Sequence, residues 1–329
     1  MRKFIVFILI FVLFVNVYGV DKVAQAGYGF LDVNTGARPS ALGGAFTVIG
    51  KDATALFYNP SCIGELDSRF DLSVGGTKWI ADINYAYLAA AYDAGKWGSF
   101  GFHLIYPDYG DDFYGTQVIM GEVGFGDTGP LEVSAFCAGL AYAIEFTDKF
   151  TTGIQFKYAT QHLGENMFEV PGVEPADTDT IVKKNETSTF SADFGLLFYP
   201  GFKSFAFGMS VRNFSPRVVY ERIGFELPLT FTLGVSMDIL DFFGEHPDYS
   251  LLVEIDGIHP RDWDEQILLG GEFGYKDMIF LRAGYQFNDY LENGLNLGAG
   301  IKAKVRLDYA VSFVRYYDMI HRASAGFSF

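Results

Sequence analysis

The chain has 329 residues, of which 17% are aromatic, with 34 Phe, 20 Tyr and 38 Gly. Its 24 Lys and Arg stand against 40 Asp and Glu, a net charge of -16, which excludes a nucleic-acid surface built on clustered positive charge. The length allows one large barrel or two soluble domains, and the abundance of aromatics and glycine favours the barrel.

Taken in order, the chain opens with Arg2 and Lys3, an apolar run from Phe4 to Val15, and then Asn16-Val17-Tyr18-Gly19. This is the charged, apolar, small-residue order of a secretory signal peptide, with cleavage expected after Gly19 or, second, after Ala26. The run is shorter than the ~20 residues a membrane-spanning helix needs. Residues 20 to 66 differ in character from the remainder of the chain. They contain the small-residue stretch Gly36 to Phe46, and then Asp52 to Pro60, which reads as about two turns of helix capped by Asp52 and stopped by Asn59-Pro60. Small-residue helices pack closely in a confined space, so 20–66 is expected to form a plug or hatch, and 67–329 a barrel.

From Arg69 onward fourteen strands are predicted, at about 69–78, 83–93, 97–106, 131–146, 150–162, 188–199, 204–214, 228–238, 248–258, 266–275, 278–287, 294–303, 305–315 and 320–329. The pattern is clearest from Gln266 to the end. Ile279, Leu281, Ala283, Tyr285 and Phe287 fall on one face of a strand, and Phe280, Arg282, Gly284 and Gln286 on the other. The polar face mixes glycine and serine with isolated charges of both signs, which suits an enclosed wet lumen, while the aromatic face suits lipid. The last strand ends on Phe329 in its apolar set, resembling the assembly signal of bacterial outer-membrane barrels. The expected fold is therefore an all-β, 14-stranded antiparallel transmembrane barrel with a short helical N-terminal plug, in contact with outer-membrane lipid. Connection lengths agree, because 107–130, 163–187 and 215–227 are long and follow odd-numbered strands, whereas most connections after even-numbered strands are tight turns.

A family resemblance enters through Ala37-Arg38-Pro39-Ser40-Ala41-Leu42-Gly43-Gly44-Ala45-Phe46 and Asp52-Ala53-Thr54-Ala55-Leu56-Phe57-Tyr58-Asn59-Pro60. These look like the N-terminal signature of the PorV/PorQ outer-membrane proteins, which belong with the FadL-like fourteen-stranded barrels. Leu227 to Gly234, Leu281 to Gln286 and Leu307 to Ala310 resemble late-strand segments of that family. The chain departs from the pattern at Ser61-Cys62-Ile63, where an Ala-Gly-Leu-like continuation is expected. The resemblance makes Arg38, Leu42, Gly43, Gly44, Asn59 and Pro60 the expected plug residues. It implies one of two roles: binding the C-terminal domains of secreted proteins, or other secretion components, in type IX secretion, or FadL-like admission of a hydrophobic ligand such as a long-chain fatty acid or detergent past the hatch.

Lumen-facing charges are predicted at Lys157, Asp193, Arg212, Glu254, Asp256, Glu272, Arg282, Lys302, Arg306, Asp308 and Arg322. Charges away from water need partners, so a network tying strands to one another and to the plug is one reading. The other is a polar path for a ligand carboxylate, with Arg282, Arg306 and Arg322 as its cations. Phe113, Tyr114, Val118, Ile119, Met120 and Phe125 make one long connection unusually apolar, a candidate contact for a partner or ligand. The glycine spacing from Gly124 to Gly129 precedes a strand, so it is read as a loop and not a nucleotide site. The five histidines have no metal-ligand spacing, and Cys62 and Cys137 are expected to be free thiols. Asp256, Asp262, Asp264 and Glu265 are read as a solvated acidic loop, with a calcium site as the alternative. No catalytic set, cofactor or metal is nominated, so the expected function is non-enzymatic.

Overall fold

The computed structural model describes residues 26–110, 114–118, 125–171, 178–219, 224–244, 246–287, 294–315 and 317–329. The expected signal peptide falls on residues that lie, Ala26 apart, outside these.

Alternation of small or polar with apolar side chains, read along the second half of the chain, becomes a closed antiparallel wall. In chain order the strands are β1 (Phe70–Lys78), β2 (Asn84–Asp93), β3 (Ser99–Asp108), β4 (Tyr114–Val118), β5 (Phe125–Pro130), β6 (Val133–Thr147), β7 (Phe150–Pro171), β8 (Thr178–Phe198) and β9 (Ala206–Phe214). Next come β10 (Val218–Val219), β11 (Gly224–Phe225), β12 (Thr230–Asp238), β13 (Tyr249–Pro260), β14 (Gln266–Tyr275), β15 (Ile279–Phe287), β16 (Gly294–Lys302), β17 (Arg306–Ser312) and β18 (Ile320–Ser328). Fourteen of these form the barrel, each hydrogen-bonded to its neighbours, while β4–β5 and β10–β11 are separate hairpins at one end. β1 pairs with β18 from Asp71 opposite Ser328 to Lys78 opposite His321. Beyond that ladder, Phe70 and Phe329 exchange backbone hydrogen bonds of 2.9 and 3.0 Å. Closure leaves the wall no open edge, which a sheet in hydrocarbon requires.

The two faces of the wall are chemically distinct in the way the alternation predicts. On β15, Ile279, Leu281, Tyr285 and Phe287 point outward, with Leu281 58% exposed, while Phe280, Arg282, Gly284 and Gln286 are buried inside. Around the rim where most turns are short, Tyr92, Trp97, Phe146, Phe202, Phe243 and Phe329 are exposed, an aromatic girdle at one membrane interface. Short turns mark that rim as periplasmic and long connections mark the other as extracellular.

The expected cap at Asp52 is present: its side chain accepts from the Thr54 amide at 2.9 Å at the start of a five-residue 3-10 helix, Ala53–Phe57. Two local readings are corrected. Pro60 opens a second 3-10 helix, Pro60–Glu65, instead of ending the first. A proline at the first helical position lacks only an amide that the helix would leave unpaired. The long connection expected at 163–187 is largely strand, because β7 and β8 keep pairing with each other from His162 opposite Glu186 to Pro171 opposite Thr178 after their other neighbours have stopped.

The chain from Ala26 to Leu66 runs through the lumen, from Glu226 at the extracellular rim to the start of β1 at the periplasmic rim. It includes a short helix, Ala37–Ala41. Leu42, Phe46, Ala53, Leu56, Cys62 and Ile63 within it are almost completely buried and form the core together with inward residues of the wall. The core of this membrane protein is thus its plug.

Candidate functional site

The candidate site is the seat of the plug, assembled from charges and glycines that alternate along the strands. Arg38, on the short helix, donates from Nε and Nη2 to the two oxygens of Glu272 on β14, both at 2.9 Å, and from Nη1 to Asp52 at 2.9 Å. Arg282 on β15 donates to Glu272 at 2.5 Å and to Asp308 on β17 at 2.6 Å. Arg306 lies 3.5 Å from each of Asp52, Asp71 and Asp308. Three guanidiniums and four carboxylates therefore form one buried cluster bridging plug and wall. Such pairs become costly when one partner is removed.

A second anchor uses backbone amides. Glu254 and Asp256 lie two residues apart on β13 and so face inward together. Glu254 accepts from the amides of Val48 and Ile49 at 2.7 and 3.1 Å. Asp256 accepts from the amides of Phe46 and Thr47 at 3.2 Å and from the Thr47 hydroxyl at 2.7 Å. Four successive plug amides are thereby satisfied by one strand. Elsewhere around the wall Arg212 donates to the Phe57 carbonyl at 2.8 Å, Gln155 to the Leu56 carbonyl at 3.1 Å, Gln286 to the Gly43 carbonyl at 2.9 Å, and Arg322 to the Asn34 carbonyl at 3.2 Å. The Asn59 amide bonds the Thr47 carbonyl at 2.7 Å within the plug and the Leu196 carbonyl of β8 at 3.3 Å.

Glycines let the plug backbone lie directly on the wall. A methyl group on Gly284 of β15 would sit 2.1 Å from the Leu42 carbonyl carbon and 2.2 Å from the Gly43 nitrogen. One on Gly153 of β7 would sit 2.5 Å from Pro60 and Ser61, and one on Gly195 of β8 would sit 1.9 Å from the Asn59 side chain. Gly43 and Gly44 themselves have φ of 66° and 82°, in the left-handed region that glycine enters freely. The contacts named here reach β7, β8, β9, β13, β14, β15, β17 and β18.

Two cavities flank this closure. A vestibule of ≈ 490 Å³ opens at the periplasmic end, with Arg38, Asp52, Glu272, Arg282 and Arg306 at its inner end. A void of ≈ 20 Å³ among Leu31, Phe57, His103, Lys157 and Arg212 is room for about one water.

Burial alone would raise the Asp52 carboxyl, but the Arg306 and Arg38 guanidiniums and the Thr54 donors hold it well below the usual carboxylate range. A group depressed in the folded state stabilises it above its unfolded pKa, and the contribution disappears as pH falls through the folded value. The stability difference between the native chain and Asp52→Asn is accordingly expected to stay constant from neutral pH down to the ordinary carboxylate range and to shrink only under stronger acid. Denaturant titrations of the two proteins in detergent at stepped pH measure it.

Of the predicted plug residues, Arg38, Leu42, Gly43, Gly44, Asn59 and Pro60 all contact the wall or hold the plug's turns. Of the predicted lumen charges, Arg212, Glu254, Asp256, Glu272, Arg282, Arg306, Asp308 and Arg322 all point inward, as do Lys157 and Asp193, which pair at 2.7 Å. Lys302 sits at the vestibule mouth and pairs with Asp277 at 2.8 Å. Arg282 and Arg306, offered as cations for a ligand carboxylate, are instead engaged by carboxylates of the chain, and Arg322 by Asn34 and Ser312. The four acidic residues read as a loop do not converge: Asp256 is turned to Thr47, whereas Glu265 bonds His259 at 2.8 Å on the surface. Cys62 and Cys137 are free and buried. Burial, with Glu254 nearby, pushes the Cys62 thiol well up. In the apolar connection, Phe113 and Met120 lie outside the described residues, and Tyr114 and Phe125 begin the hairpin strands β4 and β5.

The sequence reading did not single out Asp71, Thr47, Gln155 or the wall glycines. Asp71 was within reach of the alternation, since it shares its face of β1 with Ser73 and Thr77, all three buried. In sequence Asp52 reads only as a helix cap.

Solved structures with this fold include the CymD monoaromatic hydrocarbon channel (TM-score 0.56, 12% identity, 90% of this chain and 98% of that one). The Pseudomonas putida toluene transporter TodX is similar to the same degree (0.56, 13%, 93% and 98%). A Pseudomonas aeruginosa FadL homologue is a third (0.54, 11%, 94% and 99%). At these identities the likeness is one of fold. No curated protein matches the chain in sequence. Residues 126–328, from the hairpin strand β5 to the end of β18, match the family described as type IX secretion system membrane protein PorP/SprF. An outer-membrane barrel closed by its own N-terminal segment, matched over more than half its length, this chain belongs to the PorP/SprF family of type IX secretion system membrane proteins.

Proposed function

We propose that the barrel is a non-enzymatic docking platform of type IX secretion, binding exported proteins through their C-terminal domains, or secretion components, at its extracellular rim. The observation that carries this reading is the plug. Its backbone rests on wall glycines and is bonded to wall side chains, and its Arg38 and Asp52 pair with Glu272 and Arg306 of the wall, so the barrel offers its rim, not its lumen, to a partner. The likeness of residues 36–60 to the PorV/PorQ proteins supports the same role.

Passage of hydrophobic small molecules is the second reading, favoured by the fold shared with CymD and TodX and by the periplasmic vestibule. It requires the plug to yield. The two are separated by isolating the tagged, intact protein from detergent extracts of its outer membrane, and by reconstituting it in liposomes. Docking predicts a stoichiometric exported protein with a β-rich C-terminal domain, and no uptake of labelled fatty acid or toluene above empty liposomes. Uptake that depends on the protein, without any such co-isolated partner, would sink the docking reading in favour of transport.

A further inference from the structure

The charge of the chain is not spread evenly over its two rims. The connections at the extracellular end, 79–83, 109–132, 163–187, 215–229, 261–265, 288–293 and 313–319, carry 20 acidic and 6 basic residues. Those at the periplasmic end, 67–69, 94–98, 148–149, 199–205, 239–248, 276–278 and 303–305, carry 6 acidic and 6 basic residues. Most of the net charge of -16 therefore sits on one face. Solubility does not call for this: the periplasmic rim meets water just as directly and is neutral. Nor do internal pairs cancel it. In the β7–β8 hairpin Glu165 is matched by Lys184 at 2.9 Å, yet that hairpin carries six acidic residues between 163 and 187 against Lys183 and Lys184.

A second, independent observation concerns the backbone. β6 stops pairing with β7 at Leu163, and β9 pairs with β8 only from Ala192 onward, while β7 and β8 stay paired with each other out to Pro171 and Thr178. Among the described residues this projecting hairpin has no ladder partner on either side. A strand edge of that kind carries unpaired N–H and C=O groups, which bind an extended segment of another chain by strand addition. The acidic excess of this face, 20 acidic against 6 basic residues in its connections, disfavours a second acidic edge and favours a basic one.

We infer that the extracellular face, centred on the β7–β8 hairpin, is a docking surface for a protein partner that presents a basic β-strand edge. The inference deepens the docking function proposed above and rests on it. Electrostatic attraction steers the partner to the rim, and strand pairing holds it, so binding is fast and falls steeply with salt.

The test uses the full-length protein in lipid nanodiscs and two versions of one small β-sandwich domain, engineered to opposite net charge, as probes. The basic version is expected to bind about tenfold or more tightly than the acidic one at about 0.05 M NaCl, with the difference largely gone at about 0.5 M. A variant with Asp82→Asn, Glu132→Gln, Glu165→Gln, Glu186→Gln and Asp318→Asn should lose the discrimination. Asp67→Asn, Asp148→Asn, Asp241→Asn, Asp248→Asn and Asp277→Asn at the other rim should keep it and so control for net charge. Equal binding of the two probes, or retained discrimination in the first variant, overturns the inference. So does loss of discrimination in millimolar magnesium alone, which would mark the acidic loops as a divalent-cation bridge to lipid phosphates. Failure here is distinguishable from failure of the docking reading: an exported protein that co-isolates equally with the first variant and resists salt leaves docking standing and removes only its electrostatic basis.

Discussion

Glu272→Gln is expected to loosen the plug by about 3–5 kcal/mol, the range found when one partner of a buried ion pair is removed. Glu272 accepts both prongs of Arg38 and a bond from Arg282. An amide can accept from one of them, but it cannot offset two buried guanidiniums and would turn its own N–H groups toward one of them. The barrel wall should survive, because its ladders do not involve this side chain. The effect would therefore appear as faster hydrogen exchange of the amides of Phe46 to Ile49 and as ionic conductance in planar bilayers, with the strands still protected. Glu272→Asp keeps the charge and should recover part of the loss. Exchange rates unchanged from the native protein would mean that the ion pairs do not hold the plug.

The second large effect comes from a single methyl group. Gly284→Ala places a carbon 2.1 Å from the Leu42 carbonyl carbon and 2.2 Å from the Gly43 nitrogen. These are backbone atoms on one side and a hydrogen-bonded strand on the other, so neither can move aside as a side-chain tip would. Gly43 also has φ of 66°, so its turn has little latitude to reshape. The plug must lift from β15, breaking the bond from Gln286 to the Gly43 carbonyl, and the expected cost is at least the ~1–3 kcal/mol typical of overpacking. Chymotrypsin should then cleave after Leu42 and Phe46, both fully buried in the seated plug, while the barrel strands stay protected. Gly271→Ala is the control: it lies on β14, but its added methyl would meet nothing nearer than the Ala283 carbonyl at 3.9 Å. If the two variants resisted protease alike, the close fit at Gly284 would not matter.

The fold was legible because a barrel in lipid imposes a two-residue period on every strand. From Gln266 to Phe329 that period alone separates Leu281 from Arg282 and Leu307 from Asp308, and the structure puts each pair on opposite faces. The inward charges could be read from the same parity. Their partners could not. Arg38 and Glu272 are 234 residues apart, and Thr47 and Asp256 are 209. Nothing local in either segment encodes which wall residue meets which plug residue. The glycines hid for a different reason, since a glycine in a strand looks like a weakness until the backbone that lies against it is known. The β7–β8 hairpin reads as a loop in sequence because its Gly, Pro and charged residues lower strand propensity, whereas mutual pairing of the two long strands overrides that preference.

The order in which the seat is made sets a condition on biogenesis. The plug is synthesised first, yet Glu254, Glu272, Arg282, Asp308 and Arg322, which hold it, lie on strands made last. Until β18 zips onto β1 the N-terminal segment has no complete socket, and its cationic and amide groups stay unmatched. Sealing of the seam and seating of the stopper are therefore coupled events, so a half-built barrel cannot pass for a finished one.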